Sequence, residues 1–234
     1  MQILFRKSLD FEGELDIARQ YCDVKEYRHQ CENDIVIGRY SVLPYYQELE
    51  KDLAFRNARL INDYSQHRWI ANFDYYHILQ RFTFPTWTDE NMHTCHFEGP
   101  FVVKGRTNSR KHQWQTNMFA ENKPAALRIA SELMNDPLIG EQGILYRQYV
   151  PLEVFEVGIN GIQFTNEWRF FFLKQNMLTY GYYWSQADNA DQYKLPEGGL
   201  EFAQSIANIV ADCDEQQHMF FVVDIAKTQD GRWI

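Results

Sequence analysis

The sequence predicts an α/β (α+β) protein with a small N-terminal lobe, and two observations carry this prediction. Over about the first 65 residues, short apolar strands alternate with amphipathic helices, which is typical of an open lobe with parallel strands. In the second half, closely spaced strands joined by hairpin signals indicate an antiparallel meander. The chain has 234 residues, of which 45% are hydrophobic and 16% aromatic, so it can bury a full core.

The elements of the N-terminal lobe follow from changes in hydrophobic periodicity. Apolar runs predict strands, and apolar residues at helical spacing predict helices, of which the second opens at Pro44 and the third at Ser65. The predicted strands span 3–5, 34–38 and 59–62, and the predicted helices span 11–21, 45–57 and 65–80. We therefore place a first domain over residues 1–85.

The second half begins with an apolar strand over 100–105 that ends on Lys104 and a glycine. The loop over 106–115 is basic and contains no acidic residue. The pair Asn160-Gly161 predicts a tight hairpin turn, and residues 229–231 predict another turn near the last residue. Further predicted strands span 143–150, 168–173, 178–184 and 219–225, and further helices span 122–134 and 200–210.

Composition and motifs exclude several classes of function. The net charge of −9 argues against a general binder of nucleic acids or anionic membranes. No run approaches the roughly 18 apolar residues of a membrane span, and the first residues lack a signal-peptide pattern. The four cysteines show no CxxC spacing, which favours reduced thiols in a cytoplasmic protein. The absence of GxGxxG, GxxxxGK[ST] and GxSxG excludes Rossmann, P-loop and α/β-hydrolase sites.

The residues best suited to chemistry are charged side chains on predicted strands. Lys104 closes an apolar strand before a basic loop, where a lysine suits phosphate oxygens, although a solvated strand end is the alternative. Asp224 interrupts an apolar strand, and a carboxylate there is costly unless it is paired or holds a metal. Glu167 and Arg169 share a strand face, so they form either a structural ion pair or a site with an arginine aimed at anionic oxygens.

The predicted strand over 144–150 carries a second kind of candidate. Pro151 ends it, and a free edge there leaves backbone N–H and C=O groups that suit a planar heterocycle. Glu153 follows and is placed to accept hydrogen bonds from ribose hydroxyls. The alternative is that Tyr149 and Val150 belong to the core and that Glu153 is a solvated turn residue.

Five segments resemble, in their order, a known family. They are PFVVKG, the Arg/Lys-rich loop, ILYRQYVPLE, NEWRFFF and FFVVDIAKTQDGRWI. Together they resemble the ATP-grasp fold of ATP-dependent carboxylate ligases, and the segment upstream resembles the leading region of a bacterial and phage branch of that family. The resemblance implies an ATP-grasp region over 86–234, in which a lid subdomain over 100–140 and a C-terminal subdomain over 141–234 sandwich the nucleotide.

The resemblance also implies which residues would bind the nucleotide. Lys104 would contact the α- or β-phosphate of ATP, and the backbones of Gln148 and Val150, with Tyr149 between them, would meet adenine. Glu153 would bind ribose. The loop that follows Lys104 resembles a lid over the phosphates, and its basic residues would close on ATP or on an acidic substrate; they are Arg106, Arg110 and Lys111.

The same resemblance implies the catalytic and metal-binding residues. Arg169 would stabilise the phosphoryl group in transfer, with Lys174 as a second candidate beside it. Asp224 matches the first of three Mg²⁺ ligands, and a single carboxylate cannot hold the usual pair of ions. The other two ligands are expected past Ile234, because the turn at 229–231 pairs Asp224 with a position beyond the last residue. Either a longer protein carries them, which a hairpin cut short favours, or this relative has lost catalysis.

The predicted function is the ATP- and Mg²⁺-dependent joining of a carboxylate to an amine through an acyl phosphate, with release of ADP and phosphate. The substrates would be small molecules or peptides, and family habit suggests a homodimer. A non-catalytic relative that binds a nucleotide or a partner is the alternative. Binding of single-stranded nucleic acid by the basic loop, with Trp114 and Phe119 nearby, is a third hypothesis, against which the net charge argues.

Overall fold

The computed structural model describes residues 1–6, 13–40, 42, 45–110, 113–137, 139–158, 163–213 and 219–234. Over these residues the chain mixes helices and sheets, so the α/β (α+β) prediction is confirmed. The described chain forms two compact units, the first over Met1–Arg68 and the second over most of the remainder. The domain boundary predicted after residue 85 stays a prediction.

The first unit is built around a small parallel sheet. Its elements are β1 (Gln2–Leu4), α1 (Glu14–Tyr21), β2 (Asp23–Lys25), β3 (Ile35–Gly38), α2 (Tyr46–Ala54) and β4 (Arg59–Leu60). The strands pair in the order β2-β1-β3-β4, and every pair is parallel. The apolar side chains of these strands form one core with helix α2, which includes Leu4, Val36, Leu49 and Leu53.

The helix predicted over 65–80 is in fact two helices, α3 (Tyr64–Ala71) and α4 (Tyr76–Leu79). Phe73 lies between them with a φ of 69°, in the left-handed region that a helix cannot continue. Its buried ring stacks on Tyr76 at 4.8 Å and meets the edge of Tyr75 at 5.0 Å. Tertiary packing of the Phe73 ring therefore overrides the helical periodicity of this stretch.

The second unit contains a four-stranded antiparallel sheet with helices beside it. The elements are β5 (Thr86–Thr88), β6 (Phe101–Gly105), α5 (Trp114–Asn117), β7 (Phe119–Ala120), α6 (Lys123–Leu133) and β8 (Ile144–Gln148). The strand order is β5-β8-β6-β7, and all pairs are antiparallel. Helix α6 covers one face, because Ala126, Ile129 and Leu133 share a buried cluster with Phe101 and Val103. The side chain of Asn122 caps this helix by accepting from the backbone N–H of Ala125 at 3.0 Å.

A second antiparallel sheet in this unit follows a separate pair of strands. The elements are β9 (Val154–Val157), β10 (Gln163–Thr165), β11 (Glu167–Leu173), β12 (Asn176–Tyr182), α7 (Gly199–Ala211) and β13 (Phe220–Ala226). The sheet has the order β12-β11-β13, whereas β9 pairs with β10, and the predicted Asn160-Gly161 turn lies outside the described residues. Along β11 every second side chain is buried, and Phe170 and Phe172 are almost completely so.

The described helices are short or amphipathic. Within the described ranges, none is both long enough and apolar enough to span a membrane. Several elements lie where periodicity predicts them, with ends that differ by one to three residues, as α2, α6 and α7 show.

Candidate functional site

A charged pair lies on the open face of the sheet β12-β11-β13. Arg169 donates from Nε to Oδ1 of Asp224 at 2.7 Å and from its terminal nitrogen to Oδ2 at 2.8 Å. Each of the two side chains is 42% exposed. Hydrogen bonding to Asp224 is the main cause that raises the pKa of Arg169 above its ordinary value. The pair is a bidentate arginine–carboxylate contact within reach of solvent.

This geometry corrects two expectations about the strands. Asp224 does not lie in a fully buried strand, because β13 alternates and its carboxylate points to the exposed face. Arg169 pairs with Asp224 and not with Glu167, its neighbour on the same face. The carboxylate of Glu167 instead accepts hydrogen bonds from Thr165 and from the indole of Trp184.

Tyr183 is the third member of this group, and the sequence patterns do not single it out. The guanidinium carbon of Arg169 lies 4.6 Å from the centre of the Tyr183 ring, a cation–π distance. The backbone N–H of Tyr183 donates to the carbonyl of Glu167 at 3.0 Å, which extends the pairing of β12 with β11 by one residue. The run of aromatic residues over 180–184 gives no signal that distinguishes Tyr183 from its neighbours.

The chemistry of Asp224 suits a magnesium ion. Mg²⁺ takes oxygen ligands, keeps several waters and is commonly held by one or two carboxylates together with substrate phosphates. Asp224 supplies two exposed carboxylate oxygens of this kind. Across the described residues, no group of three or more His, Cys, Asp or Glu side chains is arranged to hold a metal. The fit therefore rests on Asp224 together with oxygens that a nucleotide would bring.

The hairpin after β13 forms as the turn signal predicts. Gly231 has a φ of 87°, and the backbones of Ala226 and Ile234 exchange two hydrogen bonds at 2.9 and 3.0 Å. In this register Asp224 would face the position two residues past Ile234.

Lys104 lies on β6, opposite Leu145 of β8. Its side chain is on the face that α6 leaves uncovered, because the neighbouring residues Val103 and Gly105 point into the core. Thr88 of β5 is also paired with Leu145, so Thr88 and Lys104 share this face. The structure thus puts the lysine on an accessible sheet face, where it has an interaction partner of its own.

The segment predicted to meet adenine leaves β8 with two of its three amides already bonded. The N–H of Gln148 donates to Pro85 at 2.8 Å, and that of Tyr149 donates to Pro100 at 2.9 Å. In the described part of the chain, the backbone of Val150 forms no hydrogen bond. The Tyr149 ring packs edge-on against Phe119 at 5.2 Å. Of the three residues, Val150 therefore offers the backbone groups best placed for a ligand.

Glu153 belongs to a network that joins this segment to the end of β13. Its N–H donates to the carbonyl of Lys227 at 2.8 Å, and its carboxylate accepts from the side-chain amide of Asn166 at 2.9 Å. Asn166 is fully buried and also accepts from the indole of Trp168 at 2.7 Å. The network brings Glu153 within three positions of Asp224 in strand register, since Lys227 follows β13. The buried Asn166 is a residue that sequence patterns missed, because an isolated asparagine gives no signal.

The basic loop residues are held by acidic partners. Arg106 donates to Glu90 at 2.7 Å and to the carbonyl of Asn72 at 3.2 Å, and Arg110 forms an ion pair with Asp136. Lys111 lies outside the described residues. A cavity of about 250 Å³ adjoins Arg106, and its lining includes Thr86, Thr88, Glu90, Asn91 and His77.

Lys174 is not brought next to Arg169. It lies in the turn between β11 and β12 with a φ of 56°, five positions from Arg169 along the chain. At about 3.3 Å per residue, that separation is roughly 16 Å. The structure groups Arg169 with Asp224 and Glu153 with the end of β13, and it leaves Lys174 at the far tip of the hairpin.

The sheet order and these strand-borne groups agree with the comparisons to known proteins. Residues 90–234 match the model of an ATP-grasp domain family, the third family of its clade. The chain belongs to this ATP-grasp family. Members of the ATP-grasp superfamily are mostly ATP-dependent ligases. No curated protein matches the chain by sequence.

Solved structures share the ATP-grasp fold at low sequence identity. D-cycloserine synthetase DcsG is 13% identical, with a TM-score of 0.58, and the match covers 100% of this chain and 88% of that one. The ATP-grasp ligase PsnB, complexed with a minimal precursor, is 8% identical, with a TM-score of 0.52 and coverages of 99% and 87%. The biotin carboxylase domain of the Hydrogenobacter thermophilus 2-oxoglutarate carboxylase, in complex with MgADP, is 11% identical, with a TM-score of 0.55 and coverages of 95% and 49%.

Proposed function

We propose that this ATP-grasp protein is a ligase that joins a carboxylate to an amine with the hydrolysis of ATP to ADP and phosphate. The observation that carries the proposal is the exposed Arg169–Asp224 pair, a cation and a metal-type ligand side by side on one open sheet face. Family membership supports the use of ATP, and one neighbour holds MgADP. The acid and the amine would be small molecules or peptides, in a cytoplasmic protein whose four cysteines are free.

In this proposal the nucleotide is held by groups of both antiparallel sheets. The free backbone of Val150, beside Gln148 and Tyr149, meets adenine, and Glu153 accepts from ribose hydroxyls. Lys104, on the uncovered face of β6, contacts a phosphate as a point charge. Asp224 holds Mg²⁺, which when bound would neutralise charge on the phosphates. The loop residues Arg106, Arg110 and Lys111 stay predictions as phosphate ligands, and the first two would have to exchange partners.

The first proposed step is phosphoryl transfer. A carboxylate oxygen of the acid attacks the γ-phosphorus of ATP, the bond from that phosphorus to the bridging oxygen breaks, and ADP leaves with the electron pair. Arg169 stabilises the charge on the transferring group, and both reactants are anions, so such positive charge lowers the barrier. The product of the step is an acyl phosphate.

In the second step the amine nitrogen attacks the acyl carbon. The carbon–oxygen bond to phosphate breaks, phosphate leaves, and the nitrogen loses a proton to give the amide. The mechanism needs no nucleophilic side chain. The described cavity beside Arg106 shares a sheet face with Lys104 through Thr88, and it offers room for a small substrate next to the phosphates.

Hydroxylamine tests this proposal because it replaces the unknown amine and converts an acyl phosphate into a stable hydroxamate. The purified protein would be incubated with MgATP, hydroxylamine and a panel of amino acids, dicarboxylic acids and short peptides. We expect hydroxamate and ADP in equal amounts with at least one acid. Arg169→Ala should lower the rate by about a thousandfold, as loss of a charge-stabilising arginine does elsewhere. Arg128→Ala, at an exposed position of α6, is the matched control and should leave the rate unchanged.

A role in binding alone is the second candidate function. The bidentate contact satisfies both Arg169 and Asp224 without any ligand, which favours a site at rest. In that case MgATP would bind, but no acid of the panel would yield hydroxamate or ADP. Binding without turnover across the whole panel would therefore replace the ligase proposal with this one.

A further inference from the structure

The guanidinium of Arg169 is held from two sides, by one carboxylate and by one aromatic ring. Asp224 takes both the Nε and a terminal nitrogen, and the face of the Tyr183 ring lies 4.6 Å from the guanidinium carbon. The two partners come from different strands of the sheet, Asp224 from β13 and Tyr183 from the end of β12. They can therefore release Arg169 independently.

The strand register explains why the Tyr183 ring reaches Arg169. Arg169 is paired with Gly181, and Tyr183 follows opposite Glu167, so Tyr183 is the diagonal neighbour of Arg169 on the same face. A Cβ added to Gly181 would meet no atom within 4 Å. The position directly across from Arg169 is thus open, and the ring leans into it from two residues away.

One of the two partners has a competing task. If Asp224 holds Mg²⁺, as the proposed function requires, at least one of its oxygens turns from the guanidinium to the ion. Both of these oxygens are engaged by Arg169 in the ligand-free pair. The arginine then loses its fixed partner at the moment when it has to face the phosphates. The ring of Tyr183 has no part in holding the metal, and its contact persists.

We propose that Tyr183 is a positioning residue that keeps the Arg169 guanidinium directed at the nucleotide phosphates once Asp224 binds the metal. This inference rests on the proposed function. Tyr183 touches neither the phosphates nor the metal in this account, and it acts only through Arg169. Its contribution is therefore small while the Arg169–Asp224 pair is intact and larger when the pair is broken.

The test is calorimetric titration of ATP with Mg²⁺, and of ATP in EDTA, into the wild-type chain, Tyr183→Leu and Tyr183→Phe. Tyr183→Leu should bind MgATP about fivefold more weakly, the value of a partly exposed cation–π contact, with little change in EDTA. Tyr183→Phe keeps the ring and should stay within about twofold of wild type in both conditions. In an Asp224→Asn background, Tyr183→Leu should weaken ATP binding in EDTA as well, since the fixed partner is gone.

Tyr180→Leu is the matched control, because Tyr180 is an exposed tyrosine of the same strand whose ring stacks on Phe170 and not on Arg169. It should leave the affinity for MgATP unchanged. An equal loss for Tyr183→Leu with and without Mg²⁺ would indicate a structural role and overturn the inference, as would no loss at all. If the wild-type chain fails to bind ATP, the proposed function fails too, whereas normal binding with no effect of Tyr183 removes this inference alone.

Discussion

The first unit and the sheet β12-β11-β13 hold their polar side chains in different ways. In the first unit, the His67 ring stacks on Tyr46 with 3.6 Å between ring centres, and burial lowers the pKa of His67 to about 4. Its imidazole is therefore neutral at neutral pH. On the three-stranded sheet, Arg169 and Asp224 stay 42% exposed and charged.

This difference separates packing from chemistry within one chain. A titratable ring that is packed against a neighbour loses its charge, because desolvation disfavours the ionised form. Charged groups on an open sheet face keep their charge and can exchange one partner for another. The stacked His67 is thus part of the architecture, and the exposed pair is the place to seek a ligand.

The largest expected effect comes from the covered face of the functional sheet. Phe170 is fully buried and stacks on Tyr180 at 5.1 Å, whereas Val222 lies on the open face and is 42% exposed. Phe170→Ala should lower the free energy of unfolding by about 3 to 5 kcal/mol, and Val222→Ala by well under about 1 kcal/mol. Urea unfolding followed by circular dichroism measures both. Similar losses for the two variants would show that the face of Val222 is not open.

A smaller effect should separate the two regions by pH. Because the folded pKa of His67 lies below its unfolded value of 6.5, the unfolded chain binds more protons between pH 6.5 and about 4. Stability contributed by neutral His67 is thus fully present above pH 6.5 and is lost as the pH falls, by up to about 2 kcal/mol at pH 5. His67→Gln should remove this part of the pH dependence.

The measurement is urea unfolding of wild type and His67→Gln at pH 7.5 and pH 5. Comparison with the variant isolates His67 from Asp63, the charged group that partly opposes the shift. An identical loss of stability in both proteins on acidification would mean that His67 is not desolvated as described, and the contrast between the two regions would disappear.

The smallest expected effect concerns the exposed pair itself. Ion pairs in contact with solvent contribute roughly 0.2 to 1 kcal/mol, so Asp224→Asn should change the free energy of unfolding by no more than about 1 kcal/mol. Thermal unfolding without nucleotide checks this value. A loss of several kcal/mol would place Asp224 among the structural residues and would weaken its assignment to the site.

Sequence patterns predict the architecture better than the contacts of the site. Periodicity locates strands such as β3, β6 and β13, because each is an apolar run with clear ends. It misses β2 and β5, which contain one large apolar residue each, Val24 and Trp87. Such short strands form because neighbouring strands supply their pairing partners, and a local window carries no trace of them.

The candidate site shows the same limit. Alternation places Arg169 on one face with Glu167, but it does not show that Asp224, 55 residues away, takes the arginine. The contact of Tyr183 depends on the register of β12, which shifts at Phe171 and Phe172, and no local pattern reveals a bulge there. Residue types could thus be predicted, whereas the partners required the fold.

The central claim, that this chain binds ATP with Lys104 and the open-face pair, is tested most directly by isothermal titration of MgATP into the 234-residue chain and two variants. The account predicts one site per chain, at least about tenfold weaker binding by Lys104→Ala through loss of a charged contact, and unchanged binding by the control Arg128→Ala. Wild-type binding that survives Lys104→Ala unchanged, or no binding of MgATP by the wild-type chain, would contradict it.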